Sequence, residues 1–379
     1  MKKRYKGQNT DGAIKHRLIF LEEVMKRILS AALIVFALLP NLRIKAISAG
    51  AYTVIEQSSG RILYSSNGST EMPMASTTKV MTALLTAENL DLTVTYDIPD
   101  SAVGIEGSSI YLKKGEKLTG EELLYGLMLA SGNDAAYALA EIISGSAEEF
   151  VELMNRRAGE LGLKNTHFAD PCGLKSKNHY TTSDDLARLC AFAMKNETFC
   201  RVVSTQNHQI SGANEGETRY LHNKNRILGE YRGGNGIKTG YTLAAGRCLC
   251  ASAKRGDMQL ICVVLNDREW FSDCETLLDR GFDEFSYVCL AKKGEIAGNA
   301  NILDGKSPKC DIMYANDVFY PVKQGENIKG VSRTGMLTAP INKGEQAGVC
   351  EFFLDGKVIA SVPLVTDESI ERKFNLFGR

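Results

Sequence analysis

The chain is expected to fold as an α+β protein, an antiparallel sheet flanked by helices, followed by a small all-β domain. Three observations carry that expectation. Strand-like alternation opens the folded region and returns after Gly236, helical periodicity fills the interval, and beyond about residue 290 short apolar runs alternate with Gly and Lys turns. Of 379 residues, 44% are hydrophobic and 24% charged, a globular composition that excludes a disordered, collagenous or coiled-coil chain. At roughly 150 residues per domain, the length leaves room for two.

The first element is a leader. Residues 1–48 hold ten Lys/Arg and three acids, a net of +7, so the remainder, with 35 basic against 42 acidic residues, nets −7. The overall charge of zero therefore hides an acidic body, and no basic surface points to nucleic acid. Lys26-Arg27, the apolar run Ile28–Leu39 and small residues from Ala46 to Ala51 have the layout of an export signal. The run's twelve residues fall short of the roughly 20 that a membrane span needs. Met25 stands directly before this pattern, and translation from it makes residues 1–24 an extension.

The body follows. Ala51–Gln57 and Arg61–Tyr64, joined by Ser58-Ser59-Gly60, predict a hairpin. A helix starts near Ser76, with Val80, Leu84 and Ala87 on one face. Thr119 with Glu122, Ser146 with Glu149, and Ser183 before Leu186 predict three capped helices. Ile237–Tyr241, Arg247–Ala253 and Met258–Leu265 predict strands, and the Arg255-Gly256-Asp257 between the last two is read as a hairpin turn rather than an adhesion signal. Past a boundary near residues 286–294, Val318–Val322, Gly348–Leu354 and Val358–Val365 predict further strands. The expected division is an extension and signal peptide over 1–48, a first domain over 49–288, and a β-rich domain with a short tail over 289–379. In that tail Ile370, Phe374 and Phe377 share a helical face, too short a stretch to predict membrane anchoring.

Ten cysteines lie between residues 172 and 350 without a CxxC, and the five histidines form no HExxH-like ligand pair. No metal is expected. Cys248 and Cys250 fall on one face of a strand and read as small buried hydrophobes.

Three short motifs carry the chemistry. In Ser76-Thr77-Thr78-Lys79, the i, i+3 spacing brings a hydroxyl beside an amine, and a lysine whose pKa is lowered by burial or another cation can activate that hydroxyl. In Ser131-Gly132-Asn133, a second hydroxyl can relay a proton and an amide can hold a substrate backbone; alone, this reads better as a polar helix break. In Lys238-Thr239-Gly240, a cation and a hydroxyl on a strand can bind a carboxylate while glycine lets an extended substrate lie alongside; alone, the lysine reads as an exposed strand residue before a turn.

SxxK, SxN and KTG in this order are the signature set of penicillin-binding proteins and serine β-lactamases. The sequence resembles the low-molecular-mass penicillin-binding proteins of the serine D-alanyl-D-alanine carboxypeptidase family. The stretch Gly162–Phe168 with Pro171-Cys172-Gly173-Leu174, and Tyr180–Ala187, are similar to that family's loop region. Ala339-Pro340-Ile341, Lys343-Gly344-Glu345 and Asp355-Gly356-Lys357 resemble its second domain. The resemblance implies a transpeptidase-like fold shared with serine β-lactamases, and removal of the terminal D-alanine from peptidoglycan stem peptides without a cofactor. Ser76 is then the nucleophile, Lys79 the acylating base and Ser131 a proton shuttle. Asn133 orients Lys79 and substrate, Lys238 keeps Lys79 neutral, and Thr239 and Gly240 receive the substrate. The amides of Ser76 and Tyr241 form the oxyanion hole, although many relatives carry histidine at the place of Tyr241. β-Lactams are the implied covalent inhibitors. The substrate places the enzyme outside the cytoplasmic membrane, with membrane association through the leader.

Two rivals have distinct signatures. A class A-like β-lactamase deacylates with a glutamate in E-x-x-L-N, whereas Glu160-Leu161-Gly162-Leu163 is followed by Lys164. A non-catalytic wall-binding protein has no need of Lys79 beside Ser76.

Overall fold

The computed structural model describes Met25 and residues 46–174, 177–214 and 216–374. The chain separates into Met1–Ile47 and Ser48–Arg379. The export signal read at residues 28–39 lies outside the described residues.

Strands β1 (Ala51–Glu56) and β2 (Ile62–Ser66) form the expected hairpin. The Glu56 carboxylate ties its turn, accepting from the amides of Ser58 and Ser59 at 3.0 and 2.8 Å. A 3-10 turn, Ala75–Thr78, leads into α1 (Lys79–Asn89). A short ribbon of β3 (Thr95–Asp97) and β4 (Lys117–Thr119) precedes α2 (Gly120–Met128), whose Thr119 and Glu122 form the predicted capping box.

Next come α3 (Asn133–Ser144), α4 (Ala147–Glu160, capped by Ser146), α5 (Ser183–Ala193) and α6 (Glu197–Val203). The expected cap at Ser183 is corrected by one residue: Thr182 accepts the Asp185 amide, and Ser183 is the first helical residue. A hairpin, β5 (Asn207–Ser211) with β6 (Thr218–His222), leads to β7 (Gly234–Thr242), β8 (Gly246–Arg255), β9 (Met258–Leu265) and α7 (Trp270–Glu284).

The main sheet runs β2-β1-β9-β8-β7, antiparallel throughout. Its two faces are read from β9. Ile261, Val263 and Leu265 join the helical core with α1 to α5. Leu260, on the opposite face, lies under Gly281 of α7. The three motifs thus sit where α1, α3 and the edge strand β7 converge, with a continuous apolar core behind them.

The remaining strands are all β, as expected. β10 (Phe285–Ala291) pairs with β13 (Val318–Lys323). A second sheet joins β11 (Ile296–Leu303), β12 (Lys309–Tyr314), β14 (Ile328–Thr334), β15 (Leu337–Thr338), β16 (Gln346–Leu354) and β17 (Lys357–Thr366), in the order β14-β16-β17-β12-β11-β15. Arg61 from the first hairpin donates to the Pro321 carbonyl at 2.6 Å, pairs with Glu326 and lies over the Phe285 and Tyr320 rings, joining these strands to the main sheet. The tail differs from the helical face drawn for it: Ile370 is buried and bridges to Ile341, so it belongs to the core. Phe377 lies outside the described residues.

Candidate active site

Ser76 sits in the 3-10 turn rather than in regular helix. In that geometry residues i and i+3 eclipse, which brings the Lys79 Nζ to 3.0 Å from the Ser76 Oγ. Lys79 is fully buried, and its Nζ also donates to Asn133 Oδ1 at 2.7 Å and to the Cys172 carbonyl at 3.0 Å. Asn133, at the start of α3, is held from its other side by a 2.6 Å bond from its Nδ2 to the Glu106 carbonyl.

These partners decide where the amine's lone pair points. A neutral lysine has two N–H bonds and one lone pair. Asn133 Oδ1 and the Cys172 carbonyl can only accept, so they take the two N–H bonds and leave the lone pair for the Ser76 hydroxyl. The pKa of Lys79 is lowered to about 8, by burial first, with the Lys224 cation adding to the effect and Cys172, Asp170 and Asp134 opposing it.

Ser131 and Ala75 flank the site in left-handed backbone conformations, φ 62° and 47°, a geometry that non-glycine residues hold at a cost of about 1–3 kcal/mol. Ser131 is buried between α2 and α3. Asp134 follows and pins the 109–112 loop, accepting from Ser109 Oγ at 2.5 Å and from the amides of Ile110 and Leu112 at 3.1 Å.

On β7, Lys238 is buried and donates to the Thr239 carbonyl at 3.0 Å. Its pKa lies well below the ordinary lysine value because of burial first, then Lys79 and Lys224. Repulsion between the two buried amines is mutual, so each disfavours the charge on the other, beside burial and Lys224. Gly240 faces the Ala75–Thr78 turn so closely that a β-carbon there would lie 2.9 Å from the Ser76 nitrogen. The Tyr241 side chain is exposed and borders a cavity of about 530 Å³ with Arg247, Arg268 and Trp270.

The structure therefore brings Lys79 into direct contact with both Ser76 and Asn133 and sets Gly240 of the KTG strand against Ser76 and Thr77. Three contributors escape the motif reading. The Cys172 carbonyl is a backbone group that any residue supplies, Asp170 sits two residues before it, and Lys224 lies outside every motif. The family-like Pro171-Cys172-Gly173-Leu174 stretch is the available signal for the first two. Glu160, the β-lactamase rival's base, is exposed at the end of α4 and ion-paired with Arg157 at 2.9 Å.

A half-buried serine beside a fully buried lysine at the head of a helix, facing a KTG edge strand, defines an active-serine acyl-transfer enzyme of the penicillin-binding type. Family comparison agrees: residues 40–269 match the D-alanyl-D-alanine carboxypeptidase model and residues 285–372 match the penicillin-binding protein 5 C-terminal domain. The D-alanyl-D-alanine carboxypeptidase DacF of Bacillus subtilis is 34% identical, with 92% of this chain and 95% of that protein aligned. DacC of Escherichia coli is 33% identical over 91% of this chain and 89% of its own. Among solved structures, penicillin-binding protein 5 of Haemophilus influenzae superimposes with a TM-score of 0.72 at 30% identity, covering 86% of this chain and 98% of its own. A point mutant of the Streptomyces K15 DD-transpeptidase gives 0.60 at 34% identity, covering 63% and 99%. The chain belongs to the D-alanyl-D-alanine carboxypeptidase family, serine hydrolases among the penicillin-binding proteins.

Proposed function

We propose that this protein removes the terminal D-alanine from peptidoglycan stem peptides through an acyl-enzyme on Ser76. The observation that carries the reading is the Lys79 amine, buried, 3.0 Å from Ser76 Oγ and with both N–H bonds directed elsewhere. Lys79 takes the hydroxyl proton as Ser76 Oγ attacks the carbonyl between the two D-alanines. Ser131 passes a proton to the departing amine. The amides of Ser76 and Tyr241 receive the oxyanion, and Thr239 meets the substrate carboxylate beside Lys238. Water then cleaves the ester.

Two buried ammonium groups that repel one another, as Lys79 and Lys238 do, do not both hold a full charge cheaply. A substrate carboxylate arriving at Thr239 favours the proton on Lys238, and so favours neutral Lys79 at the moment a base is needed. β-Lactams enter by the same acylation, and Glu160, ion-paired with Arg157 at the surface, is not a base for their release. Residues 49–288 form the catalytic domain in this reading and 289–379 the β-rich domain. The enzyme works outside the cytoplasmic membrane, exported by the 1–48 leader, which also supplies any membrane association.

Intact-protein and peptide mass spectrometry after benzylpenicillin treatment tests the reading. One adduct on the Ser76 peptide is expected; an adduct-free protein, or an adduct elsewhere, would overturn it.

A further inference from the structure

Behind the catalytic turn lie residues 168–174 and 177–180, whose direct contribution to the reacting groups is the Cys172 carbonyl. That carbonyl takes one of the two N–H bonds of a neutral Lys79, so its aim decides whether the lone pair faces Ser76. What fixes its aim is visible in the loop's bonding.

Asp170, buried, uses one oxygen to accept the amides of Cys172 at 2.7 Å, Gly173 at 2.5 Å and Leu174 at 3.4 Å. Three successive peptide planes are thereby oriented by one carboxylate. Gly173, at φ +91°, rests directly on the catalytic turn: a β-carbon there would lie 1.9 Å from the Ala75 carbonyl and 2.8 Å from Thr78 Oγ1. The preceding Pro171 carbonyl accepts from Thr82 Oγ1 at 2.6 Å. Consecutive carbonyls of the loop thus meet Thr82 and Lys79, neighbours on one face of α1.

His179 closes the loop on the same turn. The single Thr78 hydroxyl proton goes to the Ala75 carbonyl at 2.7 Å, so Thr78 Oγ1 accepts from His179 Nε2 at 2.7 Å. The Ala169 amide donates to His179 Nδ1 at 2.9 Å. His179 Nδ1 also lies 3.9 Å from Asp170 Oδ2, so the two side chains adjoin one another.

We infer that Asp170 and His179 are positioning residues that lock this loop onto the catalytic turn, aiming the Cys172 carbonyl at Lys79 so that the amine's lone pair faces Ser76. The inference rests on the reading of Ser76 as nucleophile and Lys79 as base. Asp170 has an electrostatic part as well, since its charge opposes the burial of Lys79. The other groups acting on Lys79 are Cys172, Asp134 and Lys224, with Lys238 from the strand side.

The test is the second-order rate constant for acylation by benzylpenicillin, measured from pH 6 to 10, with thermal melts as a folding control. Asp170→Asn keeps an oxygen for the three amides and removes the charge, so the rising limb should move to lower pH by roughly 0.5–1 unit. Asp170→Ala should slow acylation about 100-fold. Thr78→Val and His179→Ala should each slow it about tenfold, with the double variant slowed by less than the two losses combined, because the Thr78–His179 bond is lost in either single variant. An unmoved limb in Asp170→Asn, or additive losses in the double variant, would overturn the inference even if Asp170→Ala failed to fold. A wild-type protein that penicillin does not acylate would instead count against Ser76 and Lys79 themselves.

Discussion

Gly240 and Ser76 touch backbone to backbone: a β-carbon on residue 240 would stand 2.9 Å from the Ser76 nitrogen and 3.0 Å from that of Thr77. The glycine of KTG is therefore required by the close approach of the edge strand to the nucleophile's turn, quite apart from any substrate. Gly240→Ala should push the strand off the turn and open the gap between the Ser76 and Tyr241 amides. Acylation by benzylpenicillin should fall about 100-fold while the melting temperature changes little. An acylation rate equal to wild type would show that the packing there has slack.

The pH dependence follows from Lys79. Its amine acts as base only when neutral, and its pKa lies at about 8. Acylation should therefore rise with pH through about 8 and level off above it. A stopped-flow profile that is flat from pH 6 to 9 would remove Lys79 from the base role.

Asn133 tests the same balance from the other side. It accepts one N–H of Lys79 at 2.7 Å. Asn133→Ala should cost about 100-fold in acylation through a misaimed amine. Asn133→Asp puts a carboxylate against Lys79 and should move the rising limb to higher pH, opposite in sign to Asp170→Asn.

The buried lysines should weaken the fold they serve. A lysine whose pKa is depressed on folding binds fewer protons folded than unfolded between its two values, so stability rises with pH across that window. For Lys79 the window runs from about 8 to about 10.4 in the unfolded chain. Below it the folded state carries a penalty of about 3 kcal/mol. Lys79→Met should raise the melting temperature at pH 7 and flatten its rise toward pH 10, while abolishing acylation. A lower melting temperature in Lys79→Met would contradict this account of the burial.

Much of this is legible in the sequence where the signal is local. The Thr119–Glu122 capping box, the first hairpin and the three central strands each rest on residues within one short window. SxxK is legible for the same reason, since i, i+3 spacing is itself the geometry. Helices α3 and α7 are not. The buried face of α3 is mostly alanine, Ala135, Ala136, Ala138 and Ala140, which gives little contrast between its sides. In α7 the helical series Phe271, Cys274, Leu277, Leu278, Gly281 directly follows three strands and merges into their pattern. The helical face drawn on the tail is not found, because Ile370 is held by Ile341, a contact nothing near residue 370 announces. The Cys172 carbonyl and Lys224 act across long chain separations. A main-chain oxygen leaves no mark on composition, and a lone lysine in a loop looks like any solvated charge.

The central claim is that Ser76 is the nucleophile of a DD-carboxypeptidase. Its most direct test is release of D-alanine from a pentapeptide ending in two D-alanines, measured for the wild-type protein and for Ser76→Ala. The account predicts steady release by the wild type and none above background by the variant. Release by Ser76→Ala at the wild-type rate, or none by a folded wild type, would contradict it.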